Sequence, residues 1–235
     1  MRMLGAANDG YVSDAGSVAS HRRHREGHLK FEIGDDNDKA LCVALQHEFM
    51  RCQEAFVDFA RSAEELIMLG QDRQRAYRSY NAYARFIHHL YEFLMGAIMR
   101  DRRDTAAVHF EDAEREIMRE AQRVLTNRRE AIINGTAPEW ENALSAYPES
   151  VPPSFAREFR RHRNITLGHV KPERRHLNLT AFYTDYHPFM YMIYSASRWS
   201  WEPREGPFPD LKEVTDFSVM VIKTRGVAGQ PPVGT

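Results

Sequence analysis

The feature that most constrains this chain is an apolar stripe with the step of a helix. Leu41, Leu45, Phe49, Phe56, Phe59, Ala63 and Leu66 or Ile67 recur at helical spacing until Gly70 interrupts them. Residues so placed share one side of a 3.6-residue helix, and that side must be covered by a neighbour. A second stripe, Tyr77, Tyr80, Ala84, Ile87, Tyr91, Leu94 and Ile98, follows Asp72 and ends in the polar run Arg100-Asp101-Arg102-Arg103-Asp104. The Gly70-Gln71 turn between them is so short that the two helices must pack antiparallel. A third helix is predicted from about Glu111 to Ile133, with Ala113, Ile117, Ala121, Leu125 and Ile132 on one side and Asn134-Gly135 as its stop. A fourth is predicted from about Ser154 to Val170, prefaced by Pro152-Pro153 and ended by Lys171-Pro172. Together these segments predict an all-α, up-and-down bundle of four to five helices over residues 37–200.

The flanks read differently. Residues 1–36 are polar and are expected to form a flexible arm. His21, His24 and His28 lie in that arm without a carboxylate or cysteine at helical spacing to complete a metal site, so they read as part of a basic tract. The connection Thr136 to Pro153 is Pro-rich, with a helical turn expected around Glu139 to Ser145. Leu177 to Trp201 is rich in aromatic residues and suggests a fifth helix starting near Asp185, with Pro188 in its first turn. Residues 201–235 form a C-terminal extension. Within it Val219-Met220-Val221-Ile222 suits a short strand or a helix, and Arg225 to Thr235 is expected to be disordered.

At 235 residues with a 43% hydrophobic share, the chain can bury one good core plus tails, not two large domains. No stretch is apolar and long enough to cross a membrane, and the start does not read as a leader. Cys42 and Cys52, ten apart on one helix, cannot pair and offer no zinc frame, so they read as reduced cysteines of a cytoplasmic protein. Net charge is −1, yet 27 Arg stand against 5 Lys, and seven basic residues crowd between Arg157 and Arg175 with only Glu158 and Glu173 as acids. One basic patch on a near-neutral chain suits a phosphate-bearing partner. The plainer alternative is a solvated arginine-rich helix face.

Inside that patch lies Arg160-Arg161-His162-Arg163-Asn164-Ile165-Thr166-Leu167-Gly168-His169. On a wheel centred at Thr166, residues Phe159, His162, Arg163, His169 and Val170 fall within about 60° on either side. Arg163 and His169 would then flank one surface about 9 Å apart along the axis. Cutting RNA without a metal needs a base for the 2'-hydroxyl, charge stabilisation at phosphorus and an acid for the leaving 5'-oxygen. His169 suits the first or third task and Arg163 the second. Asn164 can fix an imidazole tautomer or bind backbone, His162 is an auxiliary proton carrier, and Arg160, Arg161 and Lys171 can attract RNA phosphates. DNA lacks the 2'-hydroxyl, so RNA is the expected substrate.

The string Arg163-Asn164-Ile165-Thr166-Leu167-Gly168-His169 resembles the motif of the HEPN superfamily: an Arg, four to six arbitrary residues and a His, often with Asn directly after the Arg. The resemblance covers about residues 38–190 as a bundle, with only the motif matching residue by residue. It implies a four- or five-helix bundle that dimerises with two motifs facing one cleft. It also implies metal-independent endoribonuclease activity, often in toxin-antitoxin, defence or RNA-processing settings, with an antitoxin or regulatory protein as a further partner and no cofactor. Arg163 and His169 become the catalytic pair and Asn164 the auxiliary. Some members of the superfamily keep the fold as binding modules, so a non-catalytic helical module that binds RNA, nucleotide or a protein is the alternative.

Two further groups carry competing readings. His88, His89 and Glu92 could suggest a metal, but the di-iron bundle pattern needs Glu-x-x-His pairs on two helices and only Glu173 to His176 has that order. They read as half-buried polar groups, with Glu92 alternatively reaching the cleft to orient a site residue. Tyr77, Tyr80, Tyr83 and Tyr91 read as packing residues before base-stacking ones.

Overall fold

The computed structural model describes residues 28–168, 172–201 and 212–228. It contains six α-helices and, among the described residues, no strand, which makes the chain an all-α helical bundle. Helices α1 (Asp36–Leu69) and α2 (Arg73–Arg102) form the predicted antiparallel pair. Each has its start fixed by an aspartate: Asp35 accepts from the Asp38 backbone N–H at 2.8 Å, and Asp72 from that of Gln74 at 3.1 Å. Gly70 ends α1 at φ 77°, a backbone angle that favours glycine. At the opposite end of the pair, Asp38 is 3% exposed and receives Arg100 Nε at 2.7 Å and Nη2 at 3.2 Å.

Helix α3 (Phe110–Ile133) buries Ala113, Ile117, Ala121, Val124 and Leu125. Two 3-10 turns, Glu139–Glu141 and Leu144–Ala146, occupy the Pro-rich connection. Gln122 ties that connection back to α3 by donating to the Glu149 carbonyl at 3.2 Å and accepting from the Val151 N–H at 3.0 Å. Helix α4 (Phe155–Arg163) passes into a π-helical segment, Asn164–Gly168, and a 3-10 turn at Pro172–His176 precedes α5 (Leu179–Trp201). The core is largely aromatic where α1, α2 and α5 meet: Phe49 on Phe93 at 5.1 Å, Phe56 on Phe86 at 5.1 Å and Phe56 on Tyr194 at 4.8 Å. A fully buried side chain of this size contributes about 1.5–3 kcal/mol through burial alone.

Several sequence expectations change. The fifth helix begins at Leu179, not near Asp185, because the Asn178 side chain caps it by accepting the Ala181 N–H at 2.9 Å. Pro188 therefore sits inside α5, where Phe182, Phe189, Met190 and Ile193 are buried around it and offset the missing backbone bond. The undecided stretch near residue 220 is helical: α6 spans Lys212–Ala228, so Arg225 to Ala228 are helical rather than disordered. Residues 229–235 and 1–27, including His21 and His24, lie outside the described residues. The expected arm is held down from residue 28 onward. Thr105 donates to the Leu29 carbonyl at 3.0 Å, Phe31 donates to that of Arg103 at 3.2 Å, and the Phe31 side chain is buried. Cys42 and Cys52 are free thiols, and Cys52 is buried.

His187 gives the core an acid-sensitive point. Its ring stacks on Tyr183 at 4.5 Å, and its Nδ1 lies 3.2 Å from the Tyr83 hydroxyl, whose pKa burial raises. Burial holds the His187 pKa down to about 4. The unfolded chain, titrating at about 6.5, therefore takes its proton first, and the stability this creates is complete above that value and is lost as pH falls towards the folded value. Urea unfolding at roughly pH 7 and roughly pH 5 should show a smaller acid loss for His187→Gln than for wild type. Equal losses would contradict this assignment.

Candidate functional site

Helix α4 divides its side chains among three directions. Phe155, Ala156, Phe159 and His162 recur at helical spacing and are all buried. His162 stacks on Phe182 of α5 at 4.1 Å, and its Nδ1 lies 2.8 Å from the Glu158 carbonyl. Its Nε2 is buried without a well-formed hydrogen bond; the Asn178 backbone on that side only weakly favours the charged form. Burial lowers the His162 pKa. The auxiliary proton carrier expected from the wheel is thus packed into the core and does not join Arg163.

Arg163 turns the other way, towards α2. Its Nη2 donates to Glu92 Oε1, and its Nη1 donates to Asn164 Oδ1 at 2.9 Å. The guanidinium lies 5.5 Å over the Tyr91 ring, and its Nε is buried without a hydrogen-bond partner among the described residues. The ion pair is partly exposed, with side chains 26% and 34% accessible, so it adds only about 0–1 kcal/mol to stability. Its larger effect is to fix the orientation of the guanidinium. Of the five N–H donors of an arginine, the second on Nη1 and the second on Nη2 have no hydrogen bond to side chains of α2 or the π segment among the described residues, and a ligand would meet them.

Arg160 lies beside this pair but is engaged by α3: Nε and Nη2 each stand 2.8 Å from Glu114, and the guanidinium covers Phe110 at 5.0 Å. Tyr91 sits between the two pairs, since Arg160, Arg163, Glu92 and Glu114 all act on its phenol, whose pKa burial raises. Arg161 faces away and pairs with Glu158 at 3.1 Å on an exposed surface. There Arg157, Arg161, His176 and Asp185 line an open depression of about 360 Å³. The structure therefore gathers Arg163, Asn164 and Glu92, places Arg160 next to them, and sets Arg161 and His162 elsewhere. His169, Val170 and Lys171 lie outside the described residues.

Thr166 lies within the π segment. This 6% exposed residue donates its hydroxyl to the His162 carbonyl at 2.7 Å, competing with the backbone bond that an α-helix would place there. Arg174 Nε then serves the Ile165 carbonyl at 2.9 Å. Wide turns of this kind recur at functional positions.

Sequence reasoning missed Glu48 but reached His88 and His89 as half-buried polar groups and Glu92 as a residue able to orient the site. One helical turn earlier stands His88, and its neighbour His89 places Nδ1 2.7 Å from Glu48 of α1. Burial pulls the Glu48 carboxyl up, but the His89 hydrogen bond and nearby positive charge outweigh it and hold the pKa low. No pattern within one helix could have revealed partners on α1 or α3. Of the tyrosines, Tyr83 and Tyr91 are buried, whereas Tyr77 and Tyr80 are exposed. A larger cavity of about 500 Å³ opens between α2, α3 and α5 beside Glu116 and Trp201, and none of the site residues lines it.

Compared with known proteins, the chain matches no family model, no curated protein and no solved structure. No described helix is long and apolar enough to cross a membrane.

Proposed function

We propose that this chain is a HEPN-like endoribonuclease that cleaves RNA without a metal, working as a homodimer in which two copies of Arg163-Asn164 and His169 share a cleft. The observation that carries this reading is the clamp on Arg163: Glu92 from α2 and Asn164 from the π segment hold one guanidinium in a set direction at a half-exposed helix end. Preset donors of this kind stabilise charge that develops on a phosphorane. The 2'-oxygen attacks phosphorus while a base, assigned to His169, removes its proton. The bond from phosphorus to the 5'-oxygen breaks, that oxygen receives a proton, and the products are a 2',3'-cyclic phosphate and a 5'-hydroxyl. A cytoplasmic toxin-antitoxin or defence setting, with an antitoxin or regulatory protein as second partner, accompanies the family resemblance.

A non-catalytic RNA-binding module is the second reading, favoured by the Glu92 carboxylate, which already balances the charge of Arg163. Incubating the purified protein with mixed single-stranded RNAs in EDTA separates the two. Fragments ending in 2',3'-cyclic phosphate are expected from the enzyme. Salt-sensitive binding without such fragments would leave only the module.

A further inference from the structure

His88 is the one histidine of the α2 pair whose ring is left without a partner at its buried edge. His89 Nδ1 is taken by Glu48 at 2.7 Å, whereas His88 Nδ1 is buried and has no hydrogen bond among the described residues. The groups acting on the His88 ring come from three elements: Glu92 and His89 on its own helix, Glu48 on α1 and Arg163 on α4. Glu92 and Glu48 favour a charged ring; Arg163 and His89 oppose it. Burial is the largest influence and holds the His88 pKa below the ordinary histidine value.

The charge count of this cluster changes when a phosphate arrives. In the free protein the Arg163 cation is matched by the Glu92 anion, and Glu48 is engaged by His89. A phosphodiester docked on Arg163 brings a second anion to the same guanidinium, so Glu92 loses part of its counter-charge one helical turn from the imidazole. An uncompensated carboxylate in a half-buried position is costly, and a proton on the nearest titratable ring offsets it. His89 is less suited to that task because Glu48 already holds it.

We propose that His88 takes up a proton when a phosphodiester of single-stranded RNA docks on Arg163, so that RNA binding at this site tightens as the medium becomes more acidic. This rests on the reading of the site as one that binds RNA. His88 acts through Glu92 and is therefore a positioning residue, not one that touches the reacting atoms. The proton comes from solvent and ends on the imidazole, and no bond in the RNA changes in this step.

The test uses an uncleavable probe, a 2'-O-methyl oligouridylate, and the full chain. Fluorescence anisotropy at a series of pH values between about 8 and about 5.5 gives Kd, and the His88 ring signals are followed by NMR with His88→Gln as the assignment control. One proton taken up tightens binding by up to about tenfold per pH unit between the free and bound titration midpoints. Wild type should show that slope, its His88 midpoint should move to higher pH on saturation with the probe, and His88→Gln should flatten the slope. His88→Asn replaces the glutamine variant if circular dichroism shows that the latter is not folded. Binding whose pH dependence is the same in wild type and variant, or a His88 midpoint that does not move, overturns the proton coupling and leaves the RNA reading intact. Absence of binding at every pH overturns both.

Discussion

Arg163→Ala is expected to lower kcat/KM for RNA cleavage by about 10²–10³-fold, the usual loss when a preset donor to a developing oxyanion is removed. His169→Ala is expected to lose about 10²–10⁴-fold, as befits a proton-transfer group. The fold should tolerate Arg163→Ala, because the Glu92 pair it breaks is partly exposed and adds about 0–1 kcal/mol. Unchanged circular dichroism alongside lost cleavage would therefore place the effect in the site. Arg163→Lys keeps the charge but cannot bridge Glu92 and Asn164 in a forked geometry, so most of the loss should persist. Cleavage equal to wild type in the Arg163→Ala and His169→Ala proteins would sink the enzymatic assignment.

The second large effect concerns the ring that seats α4. Phe159 is fully buried, stacks on Phe155 at 5.8 Å and meets the Tyr91 ring edge-on at 5.4 Å. Phe159→Ala removes a large side chain from the contact between α4 and α2, and urea unfolding should show a loss of about 3–5 kcal/mol. A loss under about 1 kcal/mol would mean that the site collapses around the vacancy or that α4 is less firmly packed than described. Since Tyr91 also lies under the Arg163 guanidinium, a folded remnant of this variant should cleave RNA poorly even where it is soluble.

The first three helices were legible because each carries both a stripe and punctuation. Asp72 starts α2, Gly70 ends α1, and Asn134-Gly135 follows α3, so periodicity and chain-breaking chemistry agree. The start of α5 is hard to read because Pro188 resembles a first-turn residue, while the actual signal, the capping Asn178, is a single side chain in a polar stretch. The residues of α6 left strand and helix open because β-branched Val219, Val221 and Ile222 favour strands locally. Glu92 was within reach of inference because it shares α2 with His88 and His89. The split between His162 and Arg163 was not visible. Adjacent helical residues point about 100° apart, and which of two basic neighbours enters the core depends on Phe182 and Glu92, which belong to other helices.

The π segment Asn164–Gly168 makes helical winding a variable of its own. A wide turn absorbs about one residue more than an α-turn, so across Asn164–Gly168 the helical heading shifts by about 100° relative to a uniform α-helix. Residue count and direction are thereby uncoupled: deleting one residue from this stretch and letting it rewind as α would preserve the heading of the downstream chain. Such a helix carries its own tolerance for insertions and deletions at the site.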